Sequence, residues 1–270
     1  MTRLKPSDLA SLGQGLKLYE RELQAKTGRT LRQIACRAAG TGEVQVLRTI
    51  REIKAGVVSM TIREGILHGF AEAVRDIIAH LGYEAFVPEL VDVAGLASAI
   101  DMGADVVFMA DDARFIAVNL STRHIVDNAE ATGRGYGAAV EELADGIRDR
   151  AVLVIGAGQV GTSAARILRE MGAQIGVFDR KKPRAERLAR EVEGCVEGDL
   201  ELALDMYTIL VDASPASGII EARHIKPTTI VAAPGIPLGL TPEAQSLVGR
   251  RLIHDPLQIG VATMMISVLC

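Results

Sequence analysis

The 270-residue chain is 49% hydrophobic and carries 30 basic against 34 acidic side chains, a net charge of −4, with 3% aromatic residues and no Trp. That length buries a substantial core, in two or three lobes. With neither a basic stripe nor aromatic side chains to stack bases, the electrostatic footprint of a nucleic-acid binder is missing, and nucleic acid is not an expected partner.

The opening MTRLKPSDLASLGQ has no apolar signal-peptide core, and the late apolar run GVATMMISVL is too short to span a bilayer, so a cytoplasmic protein without membrane attachment is expected. Cys36, Cys195 and Cys270 are odd in number and fall in no metal-ligand spacing; they predict reduced thiols and no metal. Helix-period apolar positions over 7–55, after a Pro6-Ser7 start signal and with breaks at Gly28 and over 40–42, predict two or three short helices. From residue 57 the pattern changes to short β runs and helices: VVSMTI, the helix REGILHGFAEAVRDIIAHL ended by Gly82, EAFVPE, a helix near 93–102, and DVVFMA. RFIAVNL and RHIVDN follow at hairpin spacing, and GRGYGAAVEELADGIRD predicts the helix leading into the last lobe.

In that last lobe AVLVIGAGQVGTSAARILREMGAQIGVFDR gives, in order, a buried strand, a glycine turn, an amphipathic helix, a second strand and an acid at its end, which is a βαβ unit. Gly156 permits the tight turn, Gly158 lets backbone amides reach a pyrophosphate at the helix N-terminus formed by Gln159 and Val160, and Gly161 lets that helix pack close on the strand. Asp179, followed by Arg180, would accept hydrogen bonds from the adenosine ribose; a carboxylate there repels a 2′-phosphate and favours NAD over NADP. Further strands are expected at TILVDA, TTIVAA and RLIHD. The loops ASPASG, with Ser214 and Pro215, and AAPGIP, with Ala233 and Pro234, would line the nicotinamide half. The fold class predicted is α/β, with an N-terminal helical bundle over 1–56, a small middle α/β domain over 57–130, and over 131–270 a Rossmann-like doubly wound parallel sheet with the C-terminal helix.

DVVFMADDARFIAVNL stops an apolar strand on two adjacent acids, Asp111 and Asp112. They read either as surface turn acids or as a carboxylate that holds a substrate ammonium by a charge-assisted hydrogen bond. MADDARFIAVNL, the VDN at 126–128, AAPGIPLGLTPEA and the ending DPLQIGVATMMISVL resemble, in order and spacing, the pyrrolysine-biosynthesis dehydrogenase family PylD. The resemblance implies a three-lobed clover leaf, a homodimer, and an NAD-dependent enzyme. Such an enzyme would oxidise the terminal primary amine of 3-methyl-D-ornithyl-N6-lysine, with loss of ammonia and closure of the pyrroline ring of pyrrolysine. By matching motif positions it implies Asp111 as the catalytic, substrate-docking acid. Ala110 and Asn128 would touch the ornithine end, and Leu4 and Phe70 would serve as apolar walls. At the middle domain's strand-to-helix turn the chain departs from the family, with Ile62 and Arg63 in place of small residues; Arg63, at a helix N-terminus, is expected to bind the lysine carboxylate. His68 and His254 are the histidines considered as proton relays. Two rival readings remain: an NAD-dependent dehydrogenase of another small amino or cyclic acid, and a redox sensor that binds NAD without turning it over.

Overall fold

The computed structural model describes residues 12–61 and 68–270, and the chain divides into two compact units. The first comprises residues up to 22, 30–131 and 257–270; the second comprises 23–29 and 132–256.

In the first unit five strands form one sheet of order β2-β1-β3-β4-β5: β1 (Lys54–Val58), β2 (Glu84–Phe86), β3 (Val106–Ala110), β4 (Phe115–Asn119) and β5 (Ile125–Asp127). The crossovers from β1 to β2 and from β2 to β3 are helical, Phe70–His80 and Asp92–Asp101, and leave these three strands parallel. Tight turns make β3–β4 and β4–β5 antiparallel, so β5 again runs with β3. Helix Leu31–Ala39 starts at a capping box between Thr30 and Gln33 and ends at Gly40, whose φ of 72° few other residues adopt.

The last helix, Gln258–Ser267, is buried from Gln258 through Ile266. It packs against Leu31–Ala39 and Phe70–His80 and touches β4 and β5. The expectation that it belongs with the nucleotide-binding lobe is corrected here. A helix apolar on every face shows no period that says which neighbours surround it, and its neighbours lie in the first unit. The same packing corrects the separate N-terminal bundle over 1–56: helix Leu31–Ala39 joins the first unit's core.

The second unit is a six-stranded parallel sheet of order β11-β10-β9-β6-β7-β8. Its strands are β6 (Ala151–Ile155), β7 (Gln174–Phe178), β8 (Cys195–Val196), β9 (Ile209–Asp212), β10 (Ile230–Ala232) and β11 (Leu252–Ile253). Counted from β6 this is the 3-2-1-4-5-6 order of doubly wound dinucleotide-binding sheets, with its switch point between β6 and β9. Strand cores such as Leu153, Ile155, Leu210 and Val231 are buried because helices cover both faces. Helix Asn128–Leu143 lies against helix Gln159–Glu170 through small residues: a Cβ on Gly133 would lie 2.3 Å from the Val160 carbonyl oxygen, and one on Gly137 would lie 2.4 Å from the Ile167 side chain. Among the described residues no helix is long and apolar enough to cross a membrane, and no group of three or more His, Cys, Asp or Glu could hold a metal ion.

Candidate active site

In the second unit the glycine turn follows β6. Gly156 has φ 95° and donates to the Phe178 carbonyl at 2.7 Å, a conformation an L side chain resists. A Cβ on Gly161 would lie 1.8 Å from the Gly156 oxygen, so helix Gln159–Glu170 closes on the turn only because that position is glycine. Gly158, the N-cap, is exposed, has no side-chain cap bond and has open space where a Cβ would go. Uncapped amides at a positive helix end beside open space fit a pyrophosphate. Gln159 is exposed and Val160 half-buried at that end.

Asp179 follows β7, where Oδ2 accepts from the Ala157 amide at 2.8 Å and Oδ1 from the Lys181 amide at 2.7 Å. The carboxylate is thereby fixed against the glycine turn and keeps lone pairs for ribose hydroxyls; Arg180 is exposed beside it. Beyond β9, the Ser214 amide donates to Asp212 at 3.0 Å, and Pro215 is exposed. Beyond β10, Pro234 is half-buried, whereas Ala233 is wholly buried with its carbonyl engaged by His254.

The first unit gathers a second group at the carboxyl edge of its sheet. Ala110 ends β3, paired with Phe115, and the register brings Asp127 of β5 level with Met109, so Asn128 follows at the same edge. Phe70, half-buried at the start of its helix, meets Phe115 edge-on with ring centroids 5.2 Å apart. Asp111 is exposed, and its Oδ1 accepts from the Ala113 and Arg114 amides, each at 2.7 Å. It therefore builds the β3–β4 turn, as the surface-turn reading expects. The Arg114 and Ala113 amides hold its carboxyl below the usual range, so it stays ionised at neutral pH. Arg114 in turn pairs with Asp127 at 3.1 Å. The chain leaving β1 is pinned at the same edge by Asp92, which accepts from the Thr61 amide at 2.6 Å and the Thr61 hydroxyl at 2.8 Å. Leu4, Ile62 and Arg63 lie outside the described residues.

One group the sequence reading passed over is Asp212. VDASP looks like an ordinary acid at a strand end, but Gly239, far along the chain, closes over it: a Cβ on Gly239 would lie 1.9 Å from Asp212 Oδ2. The residue is fully buried and Oδ2 has no hydrogen-bond partner among the described residues. Burial pushes its carboxyl from 3.8 up to about 6, although the Ser214 hydrogen bonds and the His254 charge pull the other way. The folded state thus holds this proton to higher pH than the unfolded chain, and Asp212 costs stability as pH rises through that window. Asp212→Asn is expected to exceed the unsubstituted chain in stability by roughly 1–3 kcal/mol near pH ~8. In urea melts of the whole chain the difference should shrink as pH falls from about 6 toward 3.8.

Residues 8–126 match the domain family described as "Pyrrolysine biosynthesis protein PylD, N-terminal domain", and residues 127–229 match "Alanine dehydrogenase/PNT, C-terminal domain". Over 269 residues the chain is 29% identical to the pyrrolysine synthase of Methanosarcina acetivorans, covering 100% of both chains. Over 270 residues it is 29% identical to that of Methanosarcina barkeri, covering 98% of the relative. Among solved structures it resembles shikimate dehydrogenase from Aquifex aeolicus, with TM-score 0.55 and 17% identity over 81% of this chain and 93% of that one. It also resembles quinate dehydrogenase from Corynebacterium glutamicum in complex with NAD, with TM-score 0.53 and 15% identity over 80% and 92%. At such identities these two likenesses concern the dehydrogenase-type fold alone. Residues 8–126 thus match the PylD N-terminal domain, and the chain as a whole is similar from end to end to proteins named pyrrolysine synthase.

Proposed function

We propose that this chain is an NAD-dependent amine dehydrogenase of pyrrolysine biosynthesis. It would oxidise the terminal primary amine of 3-methyl-D-ornithyl-N6-lysine, with release of ammonia and closure of the pyrroline ring, as a cytoplasmic homodimer. The observation that carries the reading is Asp111: an exposed carboxylate, kept ionised by two backbone amides, at a sheet edge shared with Ala110, Phe70 and Asn128. Its Oδ1 is occupied by the turn, which leaves Oδ2 to take a cationic nitrogen in a fixed direction. The full-length relation to proteins named pyrrolysine synthase supports the choice of amine.

At the other unit, Gly156, Gly158 and Gly161 would seat the pyrophosphate, and Asp179, already fixed by two amides, would hold the ribose and disfavour a 2′-phosphate. Bound there, the nicotinamide supplies the hydride acceptor. A primary alkylamine titrates near ~10.4, so Asp111 receives it as the cation, and a proton must leave before the carbon can yield hydride. Hydrolysis of the resulting imine gives an aldehyde, and attack by the substrate's own α-amine needs little help, because intramolecular attack has a high effective concentration. Arg63 is assigned to the lysine carboxylate on charge alone.

The test mixes purified protein, NAD and the synthetic amine, and follows NADH absorbance together with product mass. Growth of NADH is expected, with a product lighter than the amine by one ammonia and two hydrogens, since the water taken up in hydrolysis is returned on ring closure. Neither signal, with NAD shown to bind, ends the assignment.

A further inference from the structure

An alkylammonium must lose a proton before its neighbouring carbon can give up hydride, and Asp111, held ionised below the usual carboxylate range, is a weak base for that task. The carbon that yields hydride must touch the nicotinamide, so the base belongs on the carboxyl edge of the second unit's sheet, on the β9–β11 side of the switch point. His254 directly follows β11 on that edge. Its ring is half-buried, with Nδ1 2.7 Å from the Ala233 carbonyl oxygen at the end of β10. A carbonyl oxygen only accepts, so Nδ1 carries the hydrogen and the neutral ring presents Nε2 as a bare lone pair. Asp212 ends β9 on the same edge, fully buried, with Oδ1 on the Ser214 amide and Oδ2 unpartnered among the described residues. Among titratable groups His254 is the one whose charge reaches Asp212. The acid next to His254 in the chain, Asp255, is engaged by the Tyr136 hydroxyl at 3.1 Å.

We propose that His254 Nε2 accepts the proton of the substrate ammonium, and that Asp212 is the positioning carboxylate that stabilises the imidazolium so formed; this rests on the amine-oxidation reading above. The N–H bond breaks, its electron pair stays on the substrate nitrogen, and the proton adds to Nε2. The nitrogen lone pair then forms the C=N bond as the adjacent C–H pair leaves as hydride to the oxidised nicotinamide. Two other histidines are otherwise employed: His80 is 3.0 Å from Glu20, and His224 is 3.0 Å from Glu201.

His254→Asn keeps an amide N–H for the Ala233 carbonyl and removes the base. It is expected to lower kcat by about 100-fold or more and to flatten the acid limb of its pH profile, with dinucleotide affinity unchanged. In the ligand-free protein, nitrogen-15 spectra should show the neutral His254 ring hydrogenated at Nδ1. Carbon-13 titration of the Asp212 carboxyl should move upward from about 6 in His254→Asn, because the imidazolium that pulls it down is gone. A ring hydrogenated at Nε2, or an Asp212 titration that does not move, overturns the pair. Wild-type turnover with an unchanged profile in His254→Asn overturns the assignment of His254 alone. No wild-type turnover of the amine overturns the reading beneath it.

Discussion

Asp111→Asn is expected to fold and melt as the unsubstituted chain does, to bind NAD unchanged, and to lose kcat/KM for the amine by roughly 10- to 150-fold. That is the worth of one charge-assisted hydrogen bond of about 1.5–3 kcal/mol. Asparagine is the informative replacement because its Oδ1 can still accept from the Ala113 and Arg114 amides that shape the turn, so only the charge disappears. Alanine removes both, and would confound a frayed turn with a lost ion pair. Asp112→Ala should change kcat/KM only a few-fold. Steady-state kinetics with the amine, beside thermal melts, read all three variants, and equal losses at 111 and 112 would remove Asp111 from its assigned role. Since its carboxyl titrates below the usual range, Asp111 does not account for a loss of activity between pH about 6 and 7.

The glycine turn predicts a contrast between two single methyl groups. Gly161→Ala places a Cβ 1.8 Å from the Gly156 oxygen and 3.3 Å from the Ala213 side chain, so helix Gln159–Glu170 must back away from the turn. Overpacking of this kind costs roughly 1–3 kcal/mol, which should appear as a lower melting temperature together with a ten-fold or greater loss of NAD affinity. Gly158→Ala meets nothing within 4 Å, so the fold should be untouched while NAD affinity falls, because the methyl group enters the space assigned to the pyrophosphate. Calorimetric titration with NAD beside thermal melts separates the two. A Gly158→Ala protein that binds NAD normally would remove the pyrophosphate from that position.

These glycines were legible in the sequence because their roles are set within a few residues: a strand, a turn and a helix N-terminus that follow one another. The β3–β4–β5 meander was legible for the same reason. Less local features were not. Helix Asn128–Leu143 starts five residues before GRGYG because Asp127 Oδ1 accepts from the Ala129 amide and gives it an early start. Strand β8 spans two residues, too few to show a period. Asp111 could be seen as a charged residue after a strand, but not as a turn builder with one oxygen committed. Asp212 was passed over because its burial depends on Gly239, whose approach no local pattern announces.

The route of the chain has a consequence for synthesis. The helix Gln258–Ser267, buried from Gln258 through Ile266, follows residues 132–256 in the chain, yet it fills the interior of the unit that is begun first. While residues 132–256 emerge from the ribosome, that earlier unit waits with its apolar centre open. Its strands and helices can assemble in full only once residues 257–270 are available, so a chain cut short before residue 257 would hold a half-closed, aggregation-prone unit.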